Sequence, residues 1–141
     1  MTTSYSHKIT INETKQKVYD AITTEEGLRG WYTRSVHGSA SHGERLKLDF
    51  ESKAGPFHWK IDETNPGSVV KWECLEGPGD SGGTVATFQL EDSADGTVVE
   101  LDHEGIDEAD DKRKTCNTMW GTLMLHLKQF VETGKPNPAF S

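Results

Sequence analysis

Residues 110–136, DDKRKTCNTMWGTLMLHLKQFVETGKP, form the longest helical pattern in this chain of 141 residues. With about 100° of rotation per residue, the apolar side chains of this segment fall on one stripe. The stripe consists of Cys116, Trp120, Leu123, Leu127, Phe130 and Val131, with Met119 and Met124 on its flanks. Gly134 and Pro136 follow the pattern and are typical of a helix end. The stripe covers about four turns, or roughly 24 Å, and can therefore lie across several strands of a sheet.

Five segments before this helix alternate between apolar and polar side chains, a period of two that predicts half-buried strands. Their inward positions are Leu46, Leu48, Phe50, Phe57, Trp59, Ile61, Val70, Trp72, Cys74, Ala86, Phe88, Leu90, Val99, Leu101 and His103. The turn sequences KAGP, NPGS, GPGDSGG and SADG separate the segments. A further strand is predicted around Ile9 and Ile11. Strands at this spacing favour an antiparallel meander.

Two short helices are predicted between the first strand and the meander. Thr14 is a candidate N-cap for the first of them, which carries an apolar stripe of Val18, Ala21 and Ile22. Thr23 and Glu26 form a candidate capping box for the second, which glycines restrict to a turn or two. The sheet and the long helix each have one apolar face. The sequence therefore predicts an α+β fold in which a curved antiparallel sheet wraps around the C-terminal helix.

This order of elements resembles the helix-grip arrangement of the START-like (SRPBCC) superfamily, and three motifs narrow the resemblance. VYDAITTEEGLRGWYT (18–33), GTVVELDHEGID (96–107) and MWGTLMLHLKQFVETGKP (119–136) resemble, in order, the opening, middle and closing motifs of one family. That family is related to the activator of heat shock protein 90 ATPase. The resemblance implies a single START-like domain over residues 1–141.

The sequence departs from the family pattern at three positions. Glu25 replaces a proline, Tyr32 replaces the second tryptophan of a pair, and Met119 replaces the glycine before the helix tryptophan. Since Met119 is bulkier than glycine, we expect a smaller cavity than is usual in the family.

The bulk properties of the chain disfavour several classes of partner. A net charge of −8 and a pI of about 5.2 disfavour binding to nucleic acid or to anionic membrane surfaces. The sequence has no pattern typical of a signal peptide and no apolar run of about 18 residues that could span a membrane. We therefore expect a cytoplasmic protein in which Cys74 and Cys116 are half-buried thiols.

The candidate ligand-binding side chains lie on the inward face of the predicted fold. They are Trp31, Tyr32, Phe50, Trp59, Trp72, Phe88, Leu101, His103, Met119, Trp120 and Leu123. The alternative role for the aromatic residues is simple core packing. His103 shares the inward parity of Leu101 and could orient a ligand by hydrogen bonding, or it could bond to the loop after its strand. His126 flanks the long helix, and the other histidines (His7, His37, His42 and His58) are expected at the surface or in loops.

The sequence contains no nucleophile elbow, phosphate-binding loop, zinc-protease motif or metal-ligand spacing. We expect no metal and no cofactor. The first hypothesis is a non-catalytic domain that binds a small apolar ligand. The alternatives are a protein-interaction module of co-chaperone type, or a cyclase- or hydrolase-like enzyme. In the resembled family, the action on the chaperone normally uses an additional N-terminal domain that this sequence does not include. The choice between monomer and dimer stays open.

Overall fold

The computed structural model describes residues 2–38, 45–49, 57–65, 68–76, 83–107 and 112–139. Seven strands and three helices follow one another along these residues. In chain order they are β1 (Thr2–Ile11), α1 (Lys15–Thr23), α2 (Glu25–Trp31), β2 (Ser35–Gly38), β3 (Arg45–Asp49), β4 (Phe57–Asn65), β5 (Val69–Glu76), β6 (Val85–Ser93), β7 (Gly96–Asp107) and α3 (Lys112–Thr133).

All seven strands form one antiparallel sheet in the order β1-β7-β6-β5-β4-β3-β2. Strands β2 to β7 form a meander, and β1 pairs with β7 at the edge. The predicted α+β helix-grip fold is confirmed. Strand β2 was not predicted, because Val36 is the only apolar residue among its four.

The core lies between the inner face of the sheet and α3. Trp120, Leu123 and Leu127 of the predicted stripe are buried, and Phe130 and Val131 pack against the core at its border. On the strands, the inward positions that the structure describes are buried as the alternation predicts. No helix in the described ranges is long and apolar enough to cross a membrane.

At the junction between α1 and α2, one of the two predicted N-caps is wrong. Thr14 caps α1 as predicted, since its Oγ1 accepts a hydrogen bond from the backbone N–H of Lys17. The cap of α2, however, is Thr24, whose Oγ1 accepts from the N–H of Gly27 at 3.0 Å. Thr23 still belongs to α1 and donates its hydroxyl to the carbonyl of Tyr19. The predicted cap at Thr23 was therefore wrong by one residue, because the extended backbone that a cap requires occurs at Thr24.

Close packing fixes α2 against its neighbours. A Cβ atom at Gly27 would lie 2.6 Å from the Cα of Ala21, so glycine lets α1 and α2 meet. Gly30 lies under the ring of Phe130 on α3 in the same way. After α3 the chain returns to α2, and the N–H of Asn137 donates to the carbonyl of Gly30 at 2.9 Å. These contacts hold the C-terminal end of α2, and with it Trp31, beneath α3.

Cys74 lies on the inner face of β5 and is 1% exposed. The expectation of a half-buried thiol was therefore wrong for Cys74, because its parity is that of the buried Trp72. The side chain of Cys116 lies outside the described residues.

Candidate functional site

Six aromatic side chains meet between the sheet and α3, and we call them the aromatic cluster: Trp31, Tyr32, Trp59, Trp72, Phe88 and Trp120. All are buried, and Trp72 is at the centre. The ring centroids around Trp72 lie at 5.0 Å (Phe88), 5.7 Å (Trp59), 6.2 Å (Tyr32), 6.3 Å (Trp31) and 6.4 Å (Trp120). These separations are typical of favourable aromatic pairs. The cluster brings together residues of α2, α3 and three strands with Tyr32, which directly follows α2.

The register of the sheet places a small residue at the centre of this interior. Ala86 on β6 stands opposite Trp72 on β5 and opposite His103 on β7. Trp72 and His103 are two strand spacings, or roughly 10 Å, apart. Between them the sheet presents only the methyl group of Ala86. Trp120 of α3 lies above this position, with its ring centroid 5.5 Å from that of His103.

The indole N–H groups of two cluster members differ in their hydrogen bonding. Trp31 donates its Nε1–H to the backbone carbonyl of Ala21 at 2.8 Å. Trp72 is fully buried, and its Nε1–H finds no acceptor among the described residues. A buried donor without an acceptor costs about 1–3 kcal/mol. An acceptor oxygen brought into the core next to Trp72 would recover this free energy.

His103 points inward as predicted and is 4% exposed. Burial lowers its pKa from 6.5 to about 4, and the nearby His7 contributes to the same shift. The imidazole is therefore neutral at neutral pH. In that state one ring nitrogen is a hydrogen-bond donor and the other an acceptor.

The position of His7 differs from the prediction. It was expected at the surface, but it lies on the inner face of β1 and is half-buried. Its ring lies beneath Gly121 of α3, where a Cβ atom would be 3.4 Å from Cε1 of the imidazole. The signal was present in the sequence, because His7 has the same parity as Ile9 and Ile11.

The remaining predicted site residues have different placements. Leu101 and Leu123 are buried in the core, and Met119 is half-buried and packs against it. Phe50 lies outside the described residues. His126 of α3 bonds through Nδ1 to the carbonyl oxygen of Asn137 at 2.7 Å and thus contacts the segment after the helix rather than the core. Among the described residues, no group of three or more His, Cys, Asp or Glu side chains could hold a metal ion.

Comparison with known proteins identifies the family. The model of the family described as Activator of Hsp90 ATPase homolog 1-like protein matches residues 12–132. The chain belongs to this family. The resemblance drawn from the three sequence motifs is therefore confirmed. No curated protein matches the sequence significantly.

Solved structures support the same assignment. The Aha1 dimer from Colwellia psychrerythraea, a solution structure, is 32% identical to this chain, with a TM-score of 0.84. The match covers 94% of this chain and 98% of that one. A crystal structure from Staphylococcus saprophyticus (19% identity, TM-score 0.76) matches over 96% of both chains. A solution structure from Bacillus halodurans (22% identity, TM-score 0.73) covers 92% of this chain and 97% of its own. The last two show the fold that this family member shares.

Proposed function

We propose that this domain binds a small, mostly apolar ligand between the sheet and α3, over Ala86. The observation that carries the proposal is the buried indole N–H of Trp72, which lacks an acceptor among the described residues. Membership of the Activator of Hsp90 ATPase homolog 1-like family supports a ligand-binding or interaction domain in general. The aromatic cluster supplies apolar walls, and Trp72 and His103 supply polar groups that orient a ligand.

The hydrogen bonding of the aromatic cluster favours a ligand-binding role rather than simple core packing. A tryptophan in a core is normally placed where its N–H reaches an acceptor, as Trp31 is. Trp72 is placed at the centre of the cluster, one strand from Ala86. A ligand over Ala86 would lie between the methyl group and Trp120 and direct an oxygen at this N–H. The ligand class is therefore an apolar, ring- or chain-containing molecule with a carbonyl or ether oxygen.

A matched pair of probes tests this proposal. We expect 2-acetylnaphthalene, which has a carbonyl oxygen, to bind about tenfold more tightly than 2-ethylnaphthalene, because one hydrogen bond contributes about 1 kcal/mol or slightly more. Isothermal titration calorimetry of the wild-type protein measures both affinities. The Trp72→Phe variant should bind the two probes equally.

The control for this titration is Trp31→Phe. Since the N–H of Trp31 already donates to Ala21, its loss should change both affinities alike and preserve their ratio. If the wild-type protein bound neither probe, the proposal would be contradicted. Equal binding of both probes to the wild type would contradict the role of Trp72.

Self-association is the second candidate, favoured by the dimeric state in which the Colwellia protein was solved. The described surface exposes two large apolar side chains, Leu75 at 36% and Leu125 at 63%, on different elements. Two separated side chains are weaker support than a contiguous apolar patch. Sedimentation velocity over a range of protein concentrations distinguishes a monomer from a dimer.

A further inference from the structure

Two histidines face the interior from neighbouring strands. His7 on β1 stands opposite Leu101 on β7, and His103 stands two residues further along β7. The two histidines are therefore diagonal neighbours on one face of the sheet, at roughly 7–8 Å or less, which is within reach of long side chains. The electrostatic effect of His7 on His103 is consistent with this proximity. We call these two residues the histidine pair.

The helix α3 encloses the histidine pair from the other side. Gly121 lies over the ring of His7, and the ring of Trp120 lies 5.5 Å from that of His103. Trp120 also belongs to the aromatic cluster, and Ala86 stands between His103 and Trp72. The histidine pair therefore forms one end of the same space over Ala86 that the ligand would occupy.

The charged side chains of β1 and β7 lie on the outer face of the sheet, opposite to the histidine pair. Lys8 stands opposite Glu100, and the hydroxyl of Ser6 donates to the carboxylate of Asp102, all with outward parity. The inward neighbours of the pair on β7, β6 and α3 are Val99, Leu101, Ala86, Trp120 and Gly121. The phenol-bearing Tyr5 is the register partner of His103 on β1. Among these described neighbours, the groups that can carry positive charge are the two imidazoles.

We propose that the histidine pair binds the anionic head group, a carboxylate or sulfonate, of the apolar ligand. This inference rests on the proposed function, because it assigns the head group of the ligand held by the aromatic cluster. The apolar body would extend from the histidine pair over Ala86 towards Trp72. The ligand class is then an amphipathic organic acid of small to medium length.

Proton uptake follows from this arrangement. Without a ligand, burial and the nearby His7 hold the pKa of His103 near 4, so the imidazole of His103 is neutral at neutral pH. A bound anion next to the imidazole stabilises its charged form and raises its pKa. Binding of the anion is therefore coupled to the transfer of a proton from solvent to a ring nitrogen of the pair. No covalent bond of the ligand changes.

The test compares 1-decanesulfonate with 1-decanol, both well below the micellar concentration of the sulfonate. The sulfonate stays anionic throughout, so any proton taken up must bind the protein. Between pH 8 and pH 6 we expect its affinity to rise about tenfold, with uptake of up to about one proton. The affinity for decanol should not change with pH. Calorimetry in two buffers with different ionisation enthalpies measures both quantities.

Histidine-to-glutamine variants test whether the histidine pair takes up the proton. His103→Gln should abolish the proton uptake and the pH dependence. If that variant does not fold, His7→Gln, at a half-buried position, should weaken binding of the sulfonate relative to that of decanol. His58→Gln is the matched control, because His58 lies on β4 opposite Lys47, away from the pair. Equal, pH-independent binding of both probes would overturn this inference and leave the proposed function standing. Binding of neither probe would overturn both.

Discussion

Replacement of Trp120 with alanine is expected to lower the free energy of unfolding by about 3–5 kcal/mol, the usual range for removing a buried tryptophan. Trp120 is 1% exposed and packs α3 against the sheet. Its ring meets the rings of Tyr32, Trp59, Phe88 and His103 at centroid distances of 5.9, 6.2, 6.2 and 5.5 Å. These partners lie on three different strands and, for Tyr32, directly after α2, so no small shift of one element can fill the space left by the indole.

Urea titration followed by circular dichroism measures this effect. The matched control is Leu125→Ala on the same helix, where the side chain is 63% exposed. We expect a change of less than about 0.5 kcal/mol for that variant, as for most surface substitutions. A loss of less than about 1 kcal/mol for Trp120→Ala would show that α3 is not held to the sheet through Trp120.

Acid is expected to destabilise this protein partly through His103. Its pKa is about 4 in the folded state and 6.5 as an unperturbed side chain, so between these values the unfolded chain binds more protons. The free energy of unfolding is therefore highest above pH 6.5 and falls as the pH decreases towards 4. A shift of this size corresponds to about 3 kcal/mol, because one pKa unit is about 1.4 kcal/mol.

Comparison with His103→Gln isolates this contribution from the titration of carboxylates, which both proteins share. Urea titrations at pH 7, 5.5 and 4 should show a smaller loss of stability for the variant, by up to about 3 kcal/mol at the lowest pH. The His58→Gln control should keep the wild-type pH dependence. If His103→Gln and the wild type lost the same stability between pH 7 and pH 4, burial would not lower the pKa of His103 in the folded state.

The fold was predictable because two strong periodicities agree with each other. The stripe around Trp120 requires an apolar surface to cover, and the alternation around Trp72 provides one. The side-chain directions of Trp59, Trp72, Phe88, Leu101 and His103 follow from parity alone, and the structure buries all of them.

The details of the site depend on information that parity does not contain. Which residues stand opposite one another is set by strand register, so the row of Trp72, Ala86 and His103 was visible only in the structure. His7 was missed because a polar residue at the start of a strand carries little apolar signal of its own. The α2 cap moved from Thr23 to Thr24 because both threonines can accept the same kind of hydrogen bond, and backbone geometry decides between them.

The most direct test of a ligand over Ala86 is the indole N–H spectrum of the protein. The chain contains four tryptophans and therefore gives four indole signals, which single Trp→Phe variants assign. Saturation with 2-acetylnaphthalene should move the Trp72 Nε1–H signal downfield by more than the other three, and saturation with 2-ethylnaphthalene should not. The Trp31 signal should keep its bonded position, because Ala21 already accepts its proton. An unchanged Trp72 signal at saturating ketone would contradict the account.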